Sequence, residues 1–134
     1  MESMKRRRRK QGAVGAGQTD LLDLMGHFEV HNRTEGKSPR TVEWYNLALG
    51  KLRDWLIEQG EPTVLSALDE FRVRRFLLDL QEKPGIKGPR MSSHTMYARV
   101  NALKSFFNWL NRQGYTEEHR LSSLKLPKVS GLVI

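Results

Sequence analysis

The chain has 134 residues, 38% hydrophobic and 28% charged, enough for one folded domain with a single core. It has no cysteine, which excludes disulfides, thiolate metal sites and cysteine nucleophiles, and no apolar run near the ~18 residues of a membrane span. Net charge is +8, but Lys5 to Lys10 (KRRRRK) sets six positive charges against Glu2, so most of that charge sits in the first ten residues.

Residues 1–18 read as a disordered basic tail, because Gly, Ala and Gln follow the basic run without hydrophobic periodicity. Such a tail can contact phosphates without sequence preference, act as a nuclear localisation signal, or simply be solvated. No apolar stretch follows it, so it is not a secretory signal. Thr19 or Asp20 opens a first helix that runs to about Thr34, with Leu21, Leu22, Met25 and Phe28 as its apolar face. Gly26 weakens it, and Asn32 to Lys37 form a polar turn around Gly36.

A second helix starts at Ser38 as N-cap, with Pro39 in the first helical position, where a missing N–H costs nothing. Val42, Tyr45, Leu49, Leu52 and Leu56 form its core stripe. Gly60-Glu61-Pro62 breaks the chain. A third helix is expected over Leu65 to Lys83, with Ser66 and Asp69 as competing starts and Phe71, Val73, Phe76, Leu77 and Leu80 as apolar members. Arg72, Arg74 and Arg75 lie within two turns of Asp69, Glu70 and Asp79, which reads as helix ion pairs rather than a DNA surface. Lys83 to Arg90 is a loop with two prolines, two glycines, three positive charges and no acid.

The fourth helix, Ser92 to Gly114, buries Met96, Val100, Leu103, Phe107 and Leu110. Its polar arc holds His94, Asn101, Ser105 and Asn108, flanked by Arg99 and Lys104, and no acid occurs from Ser92 to Gly114. A solvated helix face ordinarily mixes both signs of charge; a face without acids suits an anionic partner. The segment repeats Ser38 to Gly60 at an offset of 54, with eight of 23 positions identical. Both copies share S-x-x-T at the start and W-L-x-x-Q-G at the end. Beyond it, Tyr115 to Glu118 can form a short turn and Leu121 to Lys128 is extended and mildly basic.

No catalytic or metal signature emerges. His27 and His31 have the i, i+4 spacing of a metal pair, but no third ligand accompanies them. Glycine-rich phosphate loops and G-x-S-x-G are absent. No cofactor is expected.

The order of elements resembles the N-terminal core-binding domain of tyrosine recombinases, the phage-integrase and Xer-like family. The residues that carry the likeness are Ser38-Pro39-Arg40-Thr41 with Tyr45, Ser92 with Thr95, Phe106-Phe107-Asn108-Trp109-Leu110, Gly114-Tyr115 and Leu126-Pro127-Lys128. His119-Arg120 stands near the place where the family often has Asn-Pro. The resemblance implies an all-α, SAM-like bundle of four main helices over residues 19–128. It implies a start of linker at 129–134 leading to a catalytic domain that this chain lacks. Such domains clamp one face of the recombination-site duplex, with the starts of the second and fourth helices toward the major groove. Carried onto this chain, the DNA-binding residues are Arg40, Thr41, Trp44, Arg90, Ser93, His94, Thr95, Ala98, Arg99, Asn101 and Lys104. Arg40 and Arg99 suit phosphates or guanine edges, and Thr41 and Thr95 suit phosphates or the thymine methyl. The family's catalytic residues include His-x-x-Arg, and no histidine here has an arginine three residues on. Tyr45, Tyr97 and Tyr115 are therefore not read as the nucleophile.

The implied partners are double-stranded DNA and, for the parent enzyme, other recombinase protomers, with no membrane and a cytoplasmic setting; the fragment itself can be monomeric. Two alternatives are a stand-alone helical DNA-binding regulator and a helical protein-interaction module. The first fits poorly, because no short turn joins two helices as in a helix-turn-helix.

Overall fold

Four helices are set out by local capping side chains and three glycine stops. The computed structural model describes residues 16–82 and 93–116. Helix α1 spans Leu21–Thr34, α2 Pro39–Glu58, α3 Glu70–Glu82 and α4 Ser93–Arg112, and among the described residues no strand forms. The basic run, the 83–92 loop with Arg90 and the Ser92 cap, and everything after Thr116 lie outside the described residues.

The starts of α1 and α2 are built as the sequence predicts. Ser38, in extended backbone, accepts the Thr41 N–H through its side chain, with Pro39 entering the first turn of α2. Asp20 accepts the Leu22 N–H at 2.9 Å and opens α1. The stops are three copies of one device. Gly36, Gly60 and Gly114 have φ of 81°, 71° and 82°, a left-handed conformation open to glycine at little cost. After each, the next N–H bonds back five residues to the helix: Lys37 to the Asn32 carbonyl, Glu61 to Leu56 and Tyr115 to Leu110. The repeat seen in sequence thus folds as two helices of 20 residues with the same ending.

The core stripes of α2 and α4 are buried as expected, Tyr45 only in part. Ala48, Trp55, Phe106 and Trp109 join them. Helix α2 packs on α1 and α4, and α3 packs on α4. Aromatic rings tie α1, α2 and α4 together: Phe28 stands 5.7 Å from Tyr45, 5.3 Å from Phe106 and 5.2 Å from Trp109, centroid to centroid. Trp55 donates its indole N–H to Asp79 at 2.8 Å and packs edge-on against Phe76, which fixes α3 to α2.

Four expectations need correction. On α1 the inward leucine is Leu24, not Leu22, which is 53% exposed. Leu21, Leu24 and Phe28 hold the i, i+3, i+7 register, and Leu22 falls about 100° off it. The third helix does not start at Leu65. Leu65–Ala67 forms a separate 3-10 turn, and Asp69 caps α3 by accepting the Arg72 N–H at 2.8 Å. An aspartate that bonds a nearby backbone N–H ends the preceding turn and opens the next one. Phe71, expected in the core, is 67% exposed at the first turn of α3. Finally, Ala16–Gln18, placed in the tail, forms a 3-10 turn against Leu65–Ala67. The chain is pinned there by Leu65 N–H to the Thr19 carbonyl at 3.0 Å and Leu21 N–H to the Thr63 carbonyl at 2.9 Å.

The reading of the α3 arginines as ion-paired stands for Arg72 and Arg74, whereas Arg75 makes no ion pair with a described residue and lies over the Phe71 ring, 6.0 Å from its centroid. Arg72 meets Asp69 at 2.7 Å and Glu61 at 3.0 Å, and Arg74 meets Glu70 at 3.7 Å.

Asp20 binds the two ends of this arrangement. The Thr63 hydroxyl donates to it at 2.8 Å, and that bond, with the one from Leu22 N–H, lowers its pKa below the ordinary aspartate value. A carboxyl with a lowered folded pKa contributes stability above its unfolded pKa and loses it as pH falls through the lowered value. Asp20→Ala is expected to cost about 1 kcal/mol at neutral pH. The deficit should shrink as pH falls through that lowered value and the wild-type carboxyl takes up its proton. Urea titrations of both chains at neutral and acid pH measure this; an equal deficit at both would refute it.

Candidate nucleic-acid interface

The first turns of α2 and α4 contain no acidic residue. A helix start presents unbonded N–H groups and the positive end of the helix dipole, so it favours anions. On α2, Arg40 is exposed and makes no ion pair with a described residue. Next to it, the Ser38 hydroxyl donates to Thr41 Oγ1 at 3.0 Å, which leaves the half-buried Thr41 hydroxyl free to donate elsewhere.

On α4 the predicted residues separate into two groups. His94 and Lys104 are exposed and Asn101 is half-buried. With Tyr97 and Asn108 they follow the spacing of one helix face. Tyr97 is 52% exposed and was not among the predicted residues; its place three after His94 and four before Asn101 is the signal that finds it. Thr95 and Ala98 are half-buried and Arg99 is buried. Arg99 is two residues from Tyr97, about 200° around the helix, and therefore turns away from that face. Ser93 belongs to the first turn of α4, but its side chain, like Arg90, lies outside the described residues.

The expectation that Arg99 flanks an exposed arc is therefore corrected. Its guanidinium carbon stands 5.4 Å from the centroid of the Trp44 ring, a cation–π stack joining the starts of α2 and α4. Burial pushes its pKa below the usual arginine value, though an arginine keeps its proton at any physiological pH. Ser105, expected on the polar arc, is within hydrogen-bond distance of the Tyr45 hydroxyl at 3.3 Å, a second link between the two helices.

The other helices present mixed charge. Exposed residues on α2 include Arg40, Glu43, Lys51, Asp54 and Glu58; those on α3 include Arg74, Arg75 and Glu82 beside the half-buried Glu70. Only α4 has a solvent face free of carboxylates. The histidine pair on α1 is engaged in packing: His27 Nδ1 lies 3.2 Å from the Tyr115 hydroxyl, and His31 packs near Phe28 and Trp109. Among the described residues no group of three or more His, Asp or Glu is placed to hold a metal ion, and no helix is long and apolar enough to cross a membrane.

A family model described as phage integrase, N-terminal SAM-like domain, matches residues 27–114. Tyrosine recombinase XerC of Oceanobacillus iheyensis is 31% identical over 93 residues, 69% of this chain and 28% of that protein, so the chain spans less than a third of that relative. No solved structure gives a significant match.

Proposed function

The chain belongs to the phage integrase N-terminal SAM-like domain family, and from that premise we propose that it binds duplex DNA through the starts of α2 and α4 and the acid-free face of α4. The observation that carries the reading is the contrast between helices: α4 alone offers solvent a face without a carboxylate. Arg40 and Lys104 contact phosphates, Thr41 and Thr95 donate to phosphate oxygens, and His94, Tyr97 and Asn101 reach toward the groove. The family likeness assigns Arg90 and Ser93 to the same role.

The whole protein, in this reading, breaks and rejoins DNA at a specific site through a phosphotyrosine and acts with further protomers on the duplex. The name of the XerC relative supports this. In this reading the domain supplies binding and positioning and no reacting group.

The double variant Arg40→Ala/Lys104→Ala tests the surface. Each lost phosphate contact lowers the slope of log affinity against log salt by about 1, so the double variant should lose about 2. Its thermal stability should not change, because both side chains are exposed and unpaired among the described residues. Arg74→Ala, which removes a partner of Glu70, should leave DNA binding as it is. Anisotropy titrations of a labelled duplex at several salt concentrations decide; equal slopes for wild type and double variant would reject the surface.

A further inference from the structure

The Trp44–Arg99 stack contains donors that the fold does not satisfy. Arg99 is 8% exposed, and its Nε and Nη1 are buried without a hydrogen-bond partner. Trp44 Nε1, beside it, is also buried without one. No ion pair from Arg99 to a described carboxylate exists, and α4 has no acid of its own. The only described compensation for the buried charge is the face of the indole ring. A buried cation without a counter-charge is costly, and native folds rarely keep one without a reason. If stability alone shaped this position, an apolar side chain would serve better.

The place of the stack supplies the reason. Three unfilled N–H donors and a full positive charge converge where the starts of two helices meet. The group that satisfies them is an oxygen acceptor with negative charge, and a guanidinium suits a phosphate above other anions. We propose that Trp44 holds Arg99 in a sheltered, unpaired state and that duplex DNA draws the guanidinium onto a backbone phosphate. The inference rests on the DNA-binding reading above and adds a stored ligand to it. Trp44 is then a positioning residue: its ring keeps Arg99 from pairing with a surface carboxylate before DNA arrives. The charge is unfavourable in the free domain and favourable in the complex, so DNA gains by that difference when it shifts the side chain.

The test separates a stored ligand from a structural strut. Arg99→Met keeps the length and apolar stem of the side chain and removes the charge. Without DNA, its Tm should equal or exceed that of the wild type. With a random-sequence duplex it should bind at least tenfold more weakly at about 50 mM salt, with a salt slope smaller by about 1. Trp44→Phe, which keeps an aromatic face, should retain most of the wild-type affinity. In an NMR titration the Arg99 Nε–H and Trp44 indole N–H signals should move as duplex is added. A Tm several degrees lower for Arg99→Met would show the cation to be a satisfied strut and overturn the proposal. Unchanged affinity in that variant would also overturn it while leaving the DNA-binding reading intact. If the wild type itself shows no binding at low salt, the DNA-binding reading fails and the proposal falls with it.

Discussion

Phe28→Ala is expected to lower the unfolding free energy by about 3–5 kcal/mol, a large part of what holds a domain of this size together. Phe28 is 1% exposed. Its ring contacts one aromatic from α2, Tyr45, and two from α4, Phe106 and Trp109, from its own place on α1. Truncation removes the buried ring and leaves a cavity that three other rings border. Those rings cannot collapse into it without parting from one another, since Phe106 also packs on Trp109 and Phe107. Aromatic pairs add about 0.5–1.5 kcal/mol each beyond simple burial, which places this site toward the upper end of the range. The Tm should fall by on the order of 15 °C or more. Phe71→Ala is the matched control: the same deletion on a side chain 67% exposed should stay within about 0.5 kcal/mol of wild type. Urea unfolding of the two variants makes the comparison. Similar midpoints would mean that the ring cluster does not join the helices as described.

The same cluster shows which parts of the fold were legible. Helix starts were readable at Ser38 and Asp20 because capping is local chemistry: a short oxygen-bearing side chain meets an N–H two or three residues on. Stops were readable at Gly36, Gly60 and Gly114 for the same reason. The α4 stripe could be taken from spacing alone, and so could the pairing of Arg72 and Arg74 with nearby acids. Errors arose where two adjacent residues offered equal chemistry or where the deciding contact was distant. Leu22 and Leu24 are alike in type, and only the direction of the bundle chooses between them. Phe71 fits a helical stripe until Asp69 is seen to begin the helix, which puts the ring on its first turn. Arg99 was misplaced on an exposed flank because residue type argues for solvent. It stacks on Trp44, on a different helix and half a domain away in sequence. The repeat could not have shown this, since it aligns Arg99 with Tyr45 and Trp44 with Ala98.

Removing residues 1–15 should change DNA binding more than any single substitution in the bundle. Six positive charges lie between Lys5 and Lys10, opposed only by Glu2, and the remainder of the chain supplies the smaller part of the net +8. The acid-free face of α4 carries Lys104 and, in its last turn, Arg112 as its permanent cations among the described residues, and Arg40 adds one more from α2. A surface so lightly charged can orient a duplex but gathers few phosphates, whereas each basic tail residue can displace a counterion. With a slope of about 0.9 per neutralised phosphate, loss of all six contacts would reduce the salt slope by about 5. At low salt that corresponds to a loss of several orders of magnitude in affinity, most of which vanishes as salt is raised. The truncated chain should keep its fold and Tm, because the described contacts at the N-terminus begin with Ala16–Gln18 against Leu65–Ala67. It should also keep its dependence on Arg40 and Lys104, so that the double variant lowers the residual slope by the same two units in both backgrounds. Additive losses are the expectation for contacts with separate phosphates. A slope unchanged by truncation would remove the tail from the DNA surface and assign it to another use. If truncation abolished all salt-dependent binding, the helix starts would have no affinity of their own, and the reading of α2 and α4 as the duplex-facing surface would fail.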